Sequence, residues 1–279
     1  MLTETSPGAA TATAAESGCE ARPVLRRRAG SSGPGTDSVA QEAPVALVIN
    51  GISYAVMMAT PASLEEFAAG FVLTEGVVGA RSDIYEIEVQ RHGAGYEVAL
   101  EVAQQCFMQM KEKRRAMAGR SGCGVCGIES LAMLDLAPEQ VAAPWLGRDV
   151  APAVAAAARE LGRHQALMRA TGGVHAAAWC APDGGIVHVC EDVGRHNALD
   201  KLIGRLALQG ADMREGFVFM SSRASYELAR KATRMGIPML ATISAPSSLA
   251  IDIAGPAGLK LVSFCRQDGC VEYTLLDTV

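Results

Sequence analysis

Two cysteines separated by only two residues, Cys123 and Cys126, are the most closely spaced thiols in the sequence. Two sulfurs at this spacing can share a metal ion, close a small disulfide, or let one thiol assist chemistry at the other. Three glycines surround the pair, and the basic stretch 111–120 precedes it. The pair is therefore the first candidate for a chemical site.

The three chemistries are not equally favoured by the surrounding residues. A structural zinc site usually takes four ligands from two such pairs, and the sequence has no second pair and no zinc-type spacing among its five histidines. No structural zinc is therefore expected. A thioredoxin-like redox pair normally begins a helix just after a strand, which this glycine-flanked segment does not resemble. The remaining chemistry is persulfide carriage, in which a thiolate accepts a sulfur atom and offers it to an acceptor.

Cations near the thiols favour this chemistry. Arg114, Arg115 and Arg120 stabilise a thiolate, and such neighbours lower the pKa of a cysteine from about 8.5 toward neutrality. The alternative is that the two cysteines are inert and structural, but buried structural cysteines are rarely flanked by glycine and arginine. We therefore predict a sulfur-handling site with Cys123 and Cys126 as catalytic residues, on an exposed, mobile connector over 111–136.

The composition is that of a globular protein, with 49% hydrophobic and 20% charged residues in a chain of 279. The net charge of -5, with both signs interspersed, gives no global field that would hold nucleic acid or an anionic membrane. No apolar run reaches the roughly 20 residues needed to span a bilayer, and no export signal is recognisable at the N-terminus. The sequence predicts a cytoplasmic protein with reduced cysteines and neither nucleic acid nor membrane as a partner.

The pattern along the chain predicts an α/β fold in two domains after a tail. Residues 1–43 are small and polar, which predicts a disordered tail. Over 44–110, strands surround a helix that opens with a Ser63 and Glu66 capping box, which predicts a small α+β domain. Over 137–279, strands and helices alternate regularly, which predicts an α/β domain with largely parallel pairing.

Polar runs at the ends of these elements predict a pocket. In parallel sheets a ligand binds beyond the carboxyl ends of the strands, and hydroxyls and a guanidinium beside helix starts suit phosphate. Each run alone is explained by a helix cap, such as Asn197, or by an Asp192 and Arg195 ion pair. Together they predict the wall of one polar pocket. The predicted pocket residues are His175, Arg195, Ser221, Ser222, Arg223, Ser225 and the turn 244–248.

Four segments carry a family resemblance. They are Ser-Gly-Cys-Gly-Val-Cys-Gly at 121–127, Thr-Gly-Gly-Val-His at 171–175, and the runs 191–201 and 221–226. In this order and spacing they closely resemble the FdhD family of formate dehydrogenase accessory sulfurtransferases. The resemblance covers nearly everything after the first 43 residues.

The resemblance implies a cytosolic homodimer with defined partners. Such a protein accepts sulfur from a cysteine desulfurase and passes it to the molybdenum bis(molybdopterin guanine dinucleotide) cofactor, before that cofactor enters the catalytic subunit of formate dehydrogenase. GDP is a surrogate for one arm of the cofactor. The resemblance also implies that Cys123 carries the persulfide and that Cys126 assists.

The resemblance further implies a cofactor-contacting segment that follows the last core strand. Gln267 and Asp268 stand in it where a Pro-Gly turn is common in the family. The segment consists of Phe264, Cys265, Arg266, Gln267, Asp268 and Gly269.

The larger domain of the family is similar to cytidine deaminases, so a deaminase zinc site has to be considered. That site needs His-x-Glu and Pro-Cys-x-x-Cys. Here His175 is followed by two alanines, and Cys123 follows a glycine and precedes the domain. We therefore expect a nucleotide-shaped crevice without the catalytic metal. Two alternatives to sulfur transfer stay open: a non-catalytic chaperone that only binds the cofactor, and a nucleotide-metabolising enzyme.

Overall fold

The computed structural model describes residues 18–116 and 138–274, whose strands form sheets of two, four and six strands. The α/β class predicted from the sequence is confirmed. No helix in these two ranges is long and apolar enough to cross a membrane.

The two-stranded sheet is an antiparallel hairpin near the N-terminus. Strand β1 (Cys19–Arg28) pairs with β2 (Ser31–Ala40) over its whole length, and β2 packs against the short helix Ala166–Thr171. The prediction of a disordered tail over 1–43 is therefore wrong from residue 18 onward. Composition misled because this ribbon is held by paired backbone groups more than by apolar burial, and residues 1–17 lie outside the described ranges.

The four-stranded sheet is the core of the first predicted domain. Asn50 and Gly51 join its first two strands with positive φ angles of 44° and 75°, as the predicted hairpin turn requires. The order along the sheet is β4-β3-β6-β5, with β3 parallel to β6 and the other pairs antiparallel. Its strands are β3 (Ala43–Ile49), β4 (Ile52–Ala59), β5 (Ile84–His92) and β6 (Gly95–Val102).

Two helices belong to this part of the chain, and each corrects a prediction. Helix α1 (Leu64–Thr74) begins after Ser63, which has φ 53° and makes no side-chain cap, so the predicted capping box is wrong. The Ser63 hydroxyl instead accepts a hydrogen bond from Arg205. Helix α2 (Gln104–Ala116) was not predicted, and it continues past the predicted boundary at residue 110. The lysine, glutamate and arginine residues of this helix are good helix formers, so the predicted connector begins later than residue 111.

The six-stranded sheet has the order β12-β11-β10-β9-β7-β8. Strands β9, β10 and β11 are parallel, whereas β7, β8 and β12 pair antiparallel to their neighbours. The predicted alternation is confirmed, except that the short β12 was missed. The strands are β7 (His175–Cys180), β8 (Ile186–Asp192), β9 (Phe217–Met220), β10 (Met239–Thr242), β11 (Lys260–Ser263) and β12 (Val271–Glu272).

Five helices accompany this sheet. The single helix predicted over 151–170 is broken at Gln165, whose φ and ψ of -88° and 76° are not helical. Gly172 ends the second piece with φ 69°, as predicted for a C-cap. The helices are α3 (Ala151–His164), α4 (Ala166–Thr171), α5 (Arg195–Leu208), α6 (Tyr226–Arg234) and α7 (Ser248–Ala257).

The two predicted domains share one continuous apolar core, which runs from the four-stranded sheet to one face of the six-stranded sheet. Helices α1 and α5 cross at its centre through Gly70 and Gly204. A Cβ at Gly70 would lie 1.8 Å from the carbonyl oxygen of Asp200, and one at Gly204 would lie 1.8 Å from that of Glu66. Because both helices carry glycine at the crossing, their backbones touch directly.

Candidate functional site

The predicted polar residues gather at one edge of the six-stranded sheet. The carboxyl ends of the parallel strands β9, β10 and β11 meet there, and the antiparallel pairing brings the start of β7 and the end of β8 to the same edge. Helices α5, α6 and α7 also begin at this edge. We call it the polar rim, and define it by His175, Arg195, His196, Glu227 and the turns 221–225, 243–248 and 264–269.

Backbone hydrogen bonds hold the three turns of the rim together. The amide of Ser244 donates to the carbonyl of Ser222 at 3.2 Å, and the amide of Ser247 donates to that of Ala224 at 3.0 Å. The amide of Phe264 in turn donates to the carbonyl of Ser244 at 3.4 Å. The structure therefore brings together the two turns that the sequence pattern assigned to one pocket and the segment 264–269 that the resemblance assigned to the cofactor.

A cavity of about 480 Å³ opens beside these turns. His175 and Ser221 supply polar side chains to its wall. The other lining residues are Gln165, Met168, Gly172, Gly173, Val174 and Ile243. The predicted run 171–175 thus lines a cavity as well as ending a helix.

The rim hydroxyls are partly engaged in holding the backbone. Ser221 Oγ accepts a hydrogen bond from the amide of Ala176 at 2.8 Å, and Ser222 Oγ donates to the carbonyl of Arg223 at 3.1 Å. Ser222 is buried, whereas Ser221 is half-buried at the cavity. Since a hydroxyl that accepts a bond keeps its own proton, Ser221 can still donate to a ligand.

The three predicted guanidinium groups differ in their partners. Arg223 is exposed and makes no hydrogen bond or ion pair with residues 18–116 or 138–274. The Nε of Arg195 is buried and has no hydrogen-bond partner within the same ranges. Arg266 donates through Nη1 to the carbonyls of Ile243 at 2.6 Å and Cys265 at 2.8 Å. Two of the three arginines therefore keep donors available for an anion.

Two histidines of the rim have different electrostatic surroundings. Burial and the neighbouring charges of Arg195 and His196 lower the pKa of His175, although Asp192 acts in the opposite direction. His196 Nε2 lies 3.4 Å from Ser225 Oγ and 3.7 Å from Glu227 Oε2. The nearby His196 side chain lowers the pKa of Glu227 to about 2. Glu227 was not predicted as a site residue, and its one sequence signal is its place in the first turn of α6.

The ion pair between Asp192 and Arg195, which was the alternative explanation of this run, does not form. Asp192 is fully buried and pairs with Lys201, with 2.7 Å between Oδ2 and Nζ. Asn197 is not the N-cap of α5, because the helix begins at Arg195 and Gly194 takes the cap position. The Asn197 amide instead donates to the carbonyl of Met58 at 2.8 Å. Part of the run 191–197 thus joins the two sheets, and only part of it belongs to the predicted pocket.

The C-terminal segment presents only some of its side chains. Phe264 has a left-handed backbone with φ 53° and is 44% exposed. Gln267, Asp268 and Gly269 are exposed as well. Cys265 is 1% exposed, and burial raises the pKa of its thiol to about 12. The Cys265 thiol therefore packs inside the protein, and the contact of the segment 264–269 with the cofactor stays a prediction.

The predicted catalytic cysteines, Cys123 and Cys126, lie outside the described residues, so their role stays a prediction. Within residues 18–116 and 138–274, no three histidine, cysteine, aspartate or glutamate side chains are grouped as ligands of a metal ion would be.

Fold and rim together define a class: an α/β protein whose parallel strands end at a polar rim, beside a cavity lined in part by His175 and Ser221. Comparison with known proteins then gives the family. The model of the FdhD/NarQ family matches residues 40–278. The chain belongs to the FdhD/NarQ family.

Several relatives are closely similar over nearly the whole chain. The sulfur carrier protein FdhD of Chromobacterium violaceum is 62% identical over 260 residues, which cover 93% of this chain and 96% of the relative. The sulfur carrier protein FdhD of Burkholderia mallei is 62% identical over 255 residues, 90% of this chain and 93% of the relative. The same protein of Acinetobacter baylyi is 48% identical, over 85% of this chain and 86% of the relative.

A solved structure is also similar. The crystal structure of a candidate formate dehydrogenase accessory protein from Desulfotalea psychrophila superimposes with a TM-score of 0.70, over 92% of this chain and 97% of that one. At 24% sequence identity, this likeness concerns the fold.

Proposed function

We propose that this protein is a sulfurtransferase that takes sulfur from a cysteine desulfurase as a persulfide on Cys123. It passes that sulfur to the molybdenum bis(molybdopterin guanine dinucleotide) cofactor for formate dehydrogenase. The names of the 62% identical relatives support the carrier role. The observation that supports transfer to the cofactor is the polar rim, where three turns are joined by hydrogen bonds. Beside these turns, Arg223 and the Nε of Arg195 have no partner among the described residues.

The first half of the reaction is a transfer between thiols. The Cys123 thiolate attacks the outer sulfur of the donor persulfide, the sulfur–sulfur bond of the donor breaks, and the donor cysteine leaves as a thiolate. Cys126 is the assisting thiol of the pair. In the second half the persulfide bond breaks, Cys123 leaves as a thiolate, and the acceptor metal is oxidised by two electrons as it takes the sulfur as sulfide.

The rim supplies what the acceptor needs from the protein. A guanine dinucleotide carries phosphates, which guanidinium groups and amides at helix starts bind well. Arg223 lies between the end of β9 and the start of α6, and Ser221 keeps a proton to donate. The lowered pKa of His175 keeps its ring neutral near neutral pH, so it can bind through a hydrogen bond without adding charge.

The carrier role is tested by mass spectrometry after incubation with a cysteine desulfurase and cysteine. We expect a gain of one sulfur atom on the peptide that contains Cys123, and its loss in Cys123→Ala. Cys106→Ala is the matched control, because Cys106 is a half-buried free thiol of helix α2. A wild-type adduct in Cys123→Ala would contradict the proposal.

The rival function is a chaperone that binds the cofactor without carrying sulfur. Both functions use the rim, so only a variant of the sulfur-carrying cysteine can separate them. In a deletion strain, Cys123→Ala restores formate dehydrogenase activity if the protein is only a chaperone, and fails to restore it if the protein carries sulfur. Arg223→Ala impairs activity under both. Bound zinc in stoichiometric amount would favour the third alternative, a nucleotide-metabolising enzyme.

A further inference from the structure

A second pair of thiols flanks the turn 266–269 of the polar rim. Cys265 lies two residues after the end of β11, and Cys270 lies immediately before β12. Both are free thiols in the structure. Neither has a part in the sulfur transfer proposed above, so their placement calls for a separate explanation.

The strand register places the two cysteines opposite each other. Ser263 of β11 pairs with Val271 of β12, and beyond them the amide of Arg266 donates to the carbonyl of Gly269 at 2.8 Å. Between the Ser263–Val271 pair and the Arg266–Gly269 bond, the chain leaving β11 has advanced by three residues and the chain entering β12 by two. The extra residue makes a bulge at Phe264, whose positive φ fits that role, and Cys265 is left facing Cys270.

The pair occupies the position in which side chains approach most closely. The Cys265 amide donates to the carbonyl of Thr242 on β10 at 3.1 Å, so it points away from β12. Cys265 and Cys270 therefore form a pair without hydrogen bonds between them, for which the Cα separation is about 4.5 Å. Disulfides need a Cα separation of roughly 4.4–6.8 Å.

The side chains also lie on one face of the sheet. Cys265 belongs to the smaller of the two apolar clusters, and Cys270 packs against that same cluster. The Cys270 thiol is near enough to influence the ionisation of Cys265. Opposite positions on the ladder and a common face are the two conditions for a disulfide without backbone movement.

We infer that Cys265 and Cys270 form a reversible disulfide that closes the turn 266–269 at the rim. Cys270, half-buried, attacks a low-molecular-weight disulfide such as oxidised glutathione and releases one glutathione thiolate. Buried Cys265 then attacks the Cys270 sulfur and releases the second. Two protein thiols and one oxidised glutathione become one protein disulfide and two reduced glutathione molecules.

The surroundings of the thiols set the rate of closure. Burial raises the pKa of Cys265 to about 12, and burial with the charges of Glu272 and Asp149 raises that of Cys270. Thiolate is therefore scarce at neutral pH, and closure is slow there and accelerates as the pH rises. This behaviour distinguishes the pair from Cys123 and Cys126, whose arginine neighbours in the sequence favour thiolate.

Trypsin makes the disulfide directly visible. Cleavage after Arg266 separates the cysteines, one in peptide 261–266 and the other in peptide 267–279. The folded protein is incubated with oxidised glutathione at mildly alkaline pH, its remaining thiols are alkylated, and it is digested. We expect the two peptides to be joined and to separate after reduction. Separate, fully alkylated peptides in every sample would overturn the inference.

Variants test the order of the two steps. Cys270→Ser abolishes the joined peptides, and Cys106→Ser, the matched control, keeps them. In Cys265→Ser the second step is lost, so glutathione stays attached to peptide 267–279. Glutathione on Cys265 of Cys270→Ser at the same rate as on Cys270 would contradict the assigned order.

The disulfide gives the rim a redox control, an extension that rests on the proposed function. Arg266 is bonded to the carbonyls of Ile243 and Cys265 across the closed turn, and a disulfide holds it there, away from a phosphate. We expect oxidised protein to bind GDP several-fold more weakly than reduced protein. Equal GDP affinity of the two forms would contradict redox control of the rim. Absence of GDP binding by the reduced protein would contradict the proposed function, but it would not affect the evidence for the disulfide from the joined peptides.

Discussion

Two regions of the molecule differ in whether their cationic side chains have partners. In the seam, defined here as the contact of α1 with α5 and α6, Lys231 Nζ lies 2.9 Å from both Asp200 and Glu75. On the polar rim, Arg223 makes no such pair with the described residues, and Arg195 keeps a buried Nε without a partner there. The paired charges hold the fold together, whereas the unpaired ones are available for a ligand.

In the seam, the ammonium of Lys231 and the carboxylates around it compensate one another's charge. Burial alone would lower the pKa of Lys231, but the carboxylates of Asp200 and Glu75 raise it, so the ammonium stays charged. Lys231 also donates to Thr74 Oγ1 at 2.8 Å. A buried pair of this kind adds little net stability over an apolar pair, yet removing one partner leaves the other buried and uncompensated. The comparison therefore predicts large folding effects in the seam and large binding effects on the rim.

The largest effect is expected for Lys231→Ala. Loss of the ammonium leaves Asp200 buried beside Glu75 without a counter-charge, which should lower the free energy of unfolding by about 3–5 kcal/mol. Urea denaturation measures this change. The control is Arg163→Ala, which removes an exposed pair with Glu160 and should change stability by less than about 1 kcal/mol. Equal effects of the two variants would remove the distinction between the seam and the surface.

The rim variant Arg223→Ala should show the reverse pattern. Loss of a charged hydrogen bond to a phosphate costs about 1.5–3 kcal/mol of binding, so GDP affinity should fall by roughly tenfold or more, with the melting temperature unchanged. Calorimetric titration with GDP measures it, and Arg159→Ala, an exposed arginine of helix α3, is the control. Unaltered GDP affinity in Arg223→Ala would place the ligand elsewhere.

The helix crossing in the seam gives a smaller effect on folding. In Gly204→Ala the new methyl group would lie 1.8 Å from the carbonyl oxygen of Glu66, so the helices must separate, at a cost of about 1–3 kcal/mol. Gly162→Ala in helix α3 is the matched control because a Cβ there meets nothing within 4 Å. That substitution should raise stability slightly, by about 0.5–1 kcal/mol, since alanine favours the helix. Thermal unfolding of both variants tests the pair.

The rim was more predictable from the sequence than the seam. Parallel strands end at one edge, so the turns 221–225 and 244–248 could be placed together from their order alone, and the family resemblance added the segment 264–269. The partner of Asp200 could not, because Lys231 reaches it only through the particular crossing of α1, α5 and α6. The pairing of Asp192 with Lys201 depends instead on how α5 packs after the end of β8. The hairpin over 19–40 also escaped prediction, since its backbone pairing leaves no hydrophobic pattern.

The smallest expected effect concerns the rim carboxylate Glu227, and it tests whether any rim charge contributes to folding. Its pKa is about 2 in the folded protein because of His196, against about 4.3 when unfolded. A lowered folded pKa contributes stability above the unfolded value, and this contribution is lost as the pH falls toward 2. Because the pair is partly solvated, Glu227→Gln should destabilise the protein by no more than about 1 kcal/mol near neutral pH. The difference from wild type should shrink as the pH falls below about 4, and urea denaturation over this range measures it. A difference that stays constant with pH would show that the carboxylate acts through packing and not through its charge.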